Sequence, residues 1–167
     1  MEKEIIGSNT YVDVMDIKNV PAKIDTGADS SAIWASDVEV DKNGTLSFKL
    51  FGEKSKFYTG ETIKTNDYKV VMTRSSHGEE KIFYRTHILI RLGTHKIKAL
   101  MTLSNREKNN FPILIGKRTL KNKYIVDVSK NEIKIEKNSE TKTLTKELKK
   151  NPYKFHQKYF KKEGAKE

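Results

Sequence analysis

Cysteine is absent from the chain, which excludes disulfides, thiolate metal sites and cysteine nucleophiles. No apolar run approaches the roughly 20 residues needed to cross a membrane. The opening Met1-Glu2-Lys3-Glu4 has no apolar stretch of the kind that a secretory signal carries. A soluble protein of the cytoplasm is therefore expected, with no membrane partner. There is no His-Glu-x-x-His, and the four histidines (His77, His87, His95, His156) are scattered. No glycine-rich Lys-Ser/Thr phosphate loop is present either, so neither a catalytic zinc nor a resident nucleotide is expected.

What is present is basic charge. Lys and Arg outnumber Asp and Glu by 33 to 22 in 167 residues, a net charge of +11. Residues 138–167 hold 9 Lys and 4 Glu, so this segment alone carries +5. A solvated lysine surface accounts for much of this, and an acidic peptide is the partner it suits best. Nucleic acid is the less expected partner, with RNA on the basic tail as the form it would take.

Residues 5–135 read as short strands. Lys69–Met72 and Lys81–Tyr84 flank Ser75-Ser76-His77-Gly78-Glu79, the pattern of a hairpin with a glycine-containing turn. His87–Leu92 and Ile97–Leu103 flank Gly93-Thr94-His95, a second hairpin. Phe111-Pro112-Ile113-Leu114-Ile115 is a compact apolar run stopped by Gly116. Two more strands are expected, Tyr124–Val128 and Glu132–Glu136, joined by Ser129-Lys130-Asn131. Residues 37–68 read as loops and edge strands. Many short strands with frequent turns predict an all-β barrel or sandwich of one domain, residues 1–137. In the tail, 138–167, Asn151 as N-cap and Pro152 at the first position predict a helix through about Lys162. It would pair Phe155 with Tyr159, or His156 with Phe160, at i,i+4 spacing.

The segment Val20-Pro21-Ala22-Lys23-Ile24-Asp25-Thr26-Gly27-Ala28-Asp29-Ser30-Ser31 carries the chemistry. A strand delivers a carboxylate, Gly27 lets backbone N–H groups approach it, Thr26 has a hydroxyl free to bond, and Ala28 leaves room for a ligand. The triplet alone is a common turn. Its context is less common: 88 residues after Asp25 begins Ile113-Leu114-Ile115-Gly116-Lys117-Arg118-Thr119-Leu120, and the first hairpin lies between the two segments.

Taken in that order, Asp-Thr-Gly-Ala-Asp, a flap hairpin and an apolar-Gly-base motif resemble the retropepsins, over residues 18–35 and 70–128. More closely, the chain resembles the retropepsin-like family associated with ATP-grasp (RimK-type) ligases, often labelled ATP-dependent zinc proteases. The matching residues are Lys23–Ala28, Arg74-Ser75-Ser76 with Gly78, Leu103-Ser104-Asn105-Arg106, Phe111-Pro112, Ile115-Gly116 and Val126-Asp127. The resemblance implies a partly open or closed β-barrel with a flap and a short helix after Gly116, to which the residues of 138–167 add a helical tail. It implies an aspartic endopeptidase with Asp25, Thr26 and Gly27 catalytic. Ala28, Asp29, Arg74, Ser75, Ser76, His77 and Gly78 would then bind substrate, with Ile115, Gly116 and Lys117 supporting the site. A functional link to an ATP-grasp ligase also follows, without a cofactor in the chain itself.

One departure stands out. The family usually has Gly-Arg where this chain has Gly116-Lys117-Arg118. Either Lys117 pairs with Asp29 or Arg118 reaches it, and lysine lacks the bidentate fork of arginine. The chain has a single Asp-Thr-Gly, since Val126-Asp127-Val128-Ser129 lacks the glycine. An aspartic protease needs two carboxylates sharing one proton, so a homodimer with one Asp25 from each subunit is expected. Arg74, Arg85 and Arg106 are candidates for acidic side chains of a substrate, or for ion pairs with Glu79, Glu80 or Glu107. The competing expectation is a non-catalytic module that holds acidic peptides with the same fold.

Overall fold

The computed structural model describes residues 2–135 and 139–161. It divides into two compact units, Met1–Ile133 and Lys134–Glu167.

The first unit is mostly β. Its strands are β1 (Glu4–Val14), β2 (Ile17–Ile24), β3 (Ser31–Val40), β4 (Leu46–Leu50), β5 (Thr62–Thr65), β6 (Tyr68–Arg74), β7 (Glu80–Leu92), β8 (His95–Ser104), β9 (Ile113–Ile115) and β10 (Tyr124–Asn131), with a single-turn helix α1 (Lys117–Leu120) after β9. The hydrogen-bonded order is β10-β1-β2-β9-β3-β8-β7-β6. A further pairing of β1 with β7 (Val12 opposite Leu92, Val14 opposite Ile90) closes six of these strands into a ring, β1-β2-β9-β3-β8-β7. The pairs β2–β9 and β3–β8 are parallel, and β9–β3 is antiparallel. The short strands β4 and β5 extend from β3 as an antiparallel branch, which accounts for the weak patterning of residues 37–68.

Period-2 alternation fills the ring. Val12, Val14, Val20, Ile33, Ile90, Leu92, Met101, Ile113 and Ile115 are almost fully enclosed. Each such side chain stabilises the fold by roughly 1.5–3 kcal/mol relative to exposure. Pro21 is tolerated inside β2 because β9 begins to pair only at Ala22. Along β7 the pattern changes. Thr86, Ile88, Ile90 and Leu92 alternate inward, whereas residues 80–82 are exposed and residues 80–84 pair only with β6. The β6–β7 hairpin thus leaves the ring as a two-stranded arm.

Past Val128 the expected pair of strands is one. β10 runs parallel to β1 through Asn131, with a bulge between the pairs Gly7–Asp127 and Asn9–Asn131. Asp127 accepts bonds from the backbone and hydroxyl of Ser129, which kinks the strand without ending it. Glu132–Ile135 is not a strand, and Glu136 lies outside the described residues. Side chains of β1 take up its backbone instead. The Asn9 amide donates to the Ile133 carbonyl (3.0 Å) and its oxygen accepts from the Ile133 N–H (2.9 Å).

Ring closure has an ionic clasp. The Glu4 carboxylate accepts from the Thr94 N–H (3.1 Å), the Thr94 hydroxyl (2.9 Å) and His95 Nδ1 (3.1 Å), binding β1 to the β7–β8 turn. Burial opposes its charge most strongly, yet the bonds from Thr94 and His95 together hold its pKa below the ordinary value. Ionised Glu4 therefore stabilises the fold above the unfolded carboxyl pKa of about 4.3, and that contribution is lost as pH falls through the lower folded value. Glu4→Gln is expected to cost about 1–2 kcal/mol at neutral pH. Urea titrations of the two proteins should converge at the acid end, and a gap that stays constant with pH would contradict this role.

The second unit has two helices, α2 (Ser139–Lys150) and α3 (Pro152–Phe160). The expected N-cap is present, with Asn151 Oδ1 accepting from the Lys154 N–H (3.0 Å). α3 ends at Phe160, and the expected end at Lys162 is outside the described residues. Both ring pairs form, Phe155 with Tyr159 at 4.7 Å and His156 stacked on Phe160 at 5.2 Å. α2 is absent from the expected elements, because only Leu144 and Leu148 mark an apolar face. Glu147 ties the helices by accepting from Lys158 Nζ (2.9 Å) and the Tyr159 hydroxyl (2.8 Å).

Candidate active site

Asp25 follows the last residue of β2, and its position is set by β9. Ile24 pairs with Ile115, and the Asp25 N–H donates to the Ile115 carbonyl (2.8 Å). Beyond this point the chain turns. The Gly27 N–H donates to Asp25 Oδ1 (3.0 Å) and the Ala28 N–H to the Asp25 carbonyl (3.3 Å). Asp25 is half-buried, while Thr26 and Gly27 are exposed. The carboxylate is thus held from behind by backbone on a surface that a second molecule can reach.

The Gly116 segment braces this loop. Lys117 N–H donates to the Ala28 carbonyl (2.8 Å) and Arg118 N–H to the Asp29 carbonyl (3.1 Å), so the first N–H groups of α1 are satisfied by the loop itself. Ser31 lies beneath, enclosed, its hydroxyl 2.8 Å from Thr119 Oγ1 and accepting from the Gly116 N–H at 3.0 Å. Sequence reasoning misses that bridge, although Ser31 and Thr119 each sit inside the two segments singled out. Ser31→Ala would orphan the buried Gly116 N–H at a cost of about 1–3 kcal/mol. Thermal unfolding should register that loss, and an unchanged midpoint would show that the Ser31 bridge contributes nothing.

Lys117, not Arg118, takes Asp29: Nζ lies 2.9 Å from Oδ1. The hydrogen bond and then the charge of Lys117 hold the Asp29 carboxyl below its ordinary pKa. Both groups are largely exposed, so the pair orients the loop more than it stabilises the fold.

The hairpin tip is a tight turn of its own. Ser75 N–H donates to the Glu79 carbonyl (2.8 Å), and Ser75 Oγ accepts from the His77 and Glu79 N–H groups. Gly78 has φ 83°, which only glycine adopts without strain. Ser76 and His77 are exposed at the tip. Arg74 pairs with Glu80 at 2.6 Å, the ion-pair alternative for that residue. Among the described residues no hydrogen bond or ion pair joins the tip to residues 25–29. Arg106 is also committed, its Nε–H donating to the Phe111 carbonyl (3.0 Å). Arg85 has no such partner among the described residues.

His87 lies 3.8 Å from Asp67 and His95 lies 3.1 Å from Glu4, so these two histidines do not meet. Among the described residues no three His, Asp or Glu side chains gather as metal ligands. The described residues do not fit a zinc centre. A groove is lined by Trp34, Tyr58, Ile82, Tyr84 and Asn105, and Asp25 is not part of its lining.

A β-rich ring presenting one Asp-Thr-Gly loop beside an Ile-Gly turn defines a class of retropepsin-like proteins, and comparison with known proteins agrees. The chain belongs to the RimB-like family, described as retropepsin-like aspartic endopeptidase RimB, whose profile matches residues 5–137. It is 29% identical over 137 residues to a probable alpha-L-glutamate ligase of Shewanella halifaxensis, covering 77% of this chain and 29% of the relative. A protein of the same description from Desulfotalea psychrophila is 25% identical over 132 residues, 75% of this chain and 28% of the relative. The chain thus spans less than a third of the curated relatives that it matches. A Legionella pneumophila protein of unknown function shares the fold, with TM-score 0.58, 21% identity, and coverage of 78% of this chain and 97% of that one.

Proposed function

We propose that the chain is an aspartic endopeptidase with a retropepsin barrel, working as a homodimer in which each subunit supplies one Asp25. The observation that carries this is the seating of Asp25: bonded from behind by Ile115 and Gly27, half-exposed, and braced by a turn that leaves its outer side open. A single carboxylate so placed is half of an acid–base pair, and a two-fold axis through the loop supplies the other half.

In the dimer the two carboxylates share one proton, because like charges so close cannot both ionise cheaply. The ionised group takes a proton from water as its oxygen attacks the scissile carbonyl carbon. The protonated group donates to the carbonyl oxygen. The tetrahedral diol then collapses, the C–N bond breaks, and the amine leaves with a proton from the pair. Gly27, Ala28 and Asp29 hold peptide backbone, and the Arg74–Gly78 hairpin closes over it and excludes water.

The substrate class proposed is acidic or glutamate-rich peptide. The net charge of +11 supports it, and so does kinship with proteins described as alpha-L-glutamate ligases, which points to peptides that such a ligase extends. The test is cleavage of glutamate-rich peptides by the wild type and by Asp25→Asn. Cleavage by the wild type alone is expected. Tight binding without turnover at any pH would instead select the non-catalytic peptide-holding module.

A further inference from the structure

β8 stops short of the two strands that flank it. It pairs with β3 as far as Trp34 opposite Ser104, but with β7 only as far as Arg85 opposite Thr102. Past that point residues 80–84 of β7 have β6 along one edge and no strand along the other. The facing edge of β3 is open as well. The Trp34 N–H donates to the Pro112 carbonyl (2.9 Å), and the Trp34 carbonyl accepts from the Phe51 N–H (2.7 Å). A strand residue turns both of its backbone groups to one edge. β9 and then β4 therefore share that edge of β3, and β8 alone covers the other. A groove of about 740 Å³ lies where β8 gives out, lined by Trp34 and Val38 of β3, Ile82 and Tyr84 of β7, and Leu103 and Ser104 at the end of β8. None of residues 25–29 lines it.

The two sides of this opening differ in chemistry. Ile82 and Tyr84 continue the side of β7 that Thr86 and Ile88 turn inward, and Leu103 stands opposite enclosed Ile33 on that same side. That side is apolar. Trp34 and Phe83 alternate to the other side, and the groove there is completed by Tyr58 and by charged loop residues. Asp37, Glu53 and Glu107 line it against one base, Lys54. Lys54 answers Glu107 (3.0 Å), and Lys49, outside the lining, answers Asp37 (2.9 Å). Glu53 is left over, so on a chain of net charge +11 this groove is locally acidic.

We infer that the groove takes an extended segment of another protein, added as a strand beside residues 80–84, with apolar side chains at alternate positions and lysine or arginine between them. The strand edges supply backbone pairing and the walls select the side chains. Apolar side chains would lie on Ile82, Tyr84 and Leu103. Basic ones would lie over Trp34 and Phe83, whose rings attract a cation, and toward Glu53. A glutamate-rich peptide is what such a groove repels, so this segment is not the substrate proposed above, and the inference stands apart from cleavage.

Trp34 is the sole tryptophan and is half-buried, so its emission reports on the groove directly. The probe is an acetylated, amidated pentapeptide alternating valine and lysine, titrated into the full chain. Trp34 emission should shift to the blue and saturate, and amide exchange at residues 80–84 should slow by at least about 10-fold. The same peptide with glutamate for lysine, and the lysine peptide methylated on every backbone nitrogen, should each bind at least about 10-fold more weakly. Ile82→Lys alters a side chain that is 72% exposed, so the fold should survive while the lysine peptide loses affinity by a similar factor. Glu53→Gln should narrow the preference for lysine over glutamate. Binding that tolerates methylation, or that leaves exchange at 80–84 unchanged, would overturn strand addition. Equal binding of the lysine and glutamate peptides would overturn the basic occupant, and so would the absence of any saturating response. A Trp34 shift that follows protein concentration alone would give the groove to a second copy of the chain and overturn the inference in that way.

Discussion

On the proposed mechanism, replacing Asp25 by Asn should abolish peptide cleavage, lowering kcat/KM by at least about 10³-fold, because no general base would remain on either side of the proposed axis. The fold should barely notice. Among the described residues the carboxylate accepts one bond, from the Gly27 N–H, and the amide oxygen of asparagine accepts it equally well. Unfolding should therefore shift by less than about 0.5–1 kcal/mol. A stronger form of the experiment uses mixtures. If both carboxylates are needed, equal amounts of wild type and variant that exchange freely leave only about a quarter of the dimers active, since pairing across a two-fold interface is random. A monomeric enzyme would retain half. Activity linear in the wild-type fraction would thus sink the shared site even if Asp25 proved essential, and cleavage by the variant alone would remove Asp25 from the chemistry altogether.

Local chemistry makes much of this site legible in the amino-acid order. Asp25 and Gly116 can be picked out because each stands in a run where glycine and small residues interrupt an apolar strand, a pattern with few structural solutions. The two hairpins are legible for the same reason, since turn residues between alternating strands fix their own pairing. What stays hidden depends on distant chain. The β1–β7 pairing that closes the ring joins residues about 80 positions apart, and nothing near Val12 or Leu92 announces it. The loss of the second expected strand, at Glu132–Ile135, turns on Asn9 capturing Ile133 from the far end of the unit, which no local pattern encodes. The idle donor of Arg85 is equally invisible. Its sequence neighbours offer Glu79 and Glu80, and only the fold shows that Arg74 has taken the latter.

Gly116 tests how tightly the two halves of the site are fitted. Its backbone, φ −96° and ψ 179°, suits any residue, so conformational freedom does not explain a glycine there. Space does. A Cβ at this position would run into the Ser30 carbonyl oxygen and lie 2.6 Å from the Ser30 carbonyl carbon and 2.9 Å from the Ala28 carbonyl oxygen. All three are backbone atoms that cannot rotate aside. To admit a methyl group, α1 must back away from the Asp25 loop, weakening the bonds of Lys117 to Ala28, Arg118 to Asp29 and Gly116 to Ser31. At roughly 1 kcal/mol per bond plus strain, Gly116→Ala should cost about 3–5 kcal/mol. Any folded fraction should cleave poorly, because the brace that aims Asp25 has moved. Gly78→Ala is the instructive contrast. No atom lies within 4 Å of its added Cβ, and only the left-handed backbone resists. Its cost should be nearer 1 kcal/mol. Chemical denaturation of the two variants separates the causes. If Gly116→Ala proved as mild as Gly78→Ala, the loop and α1 would not be locked together, and the rigid seating of Asp25 on which the proteolytic assignment depends would be lost with them.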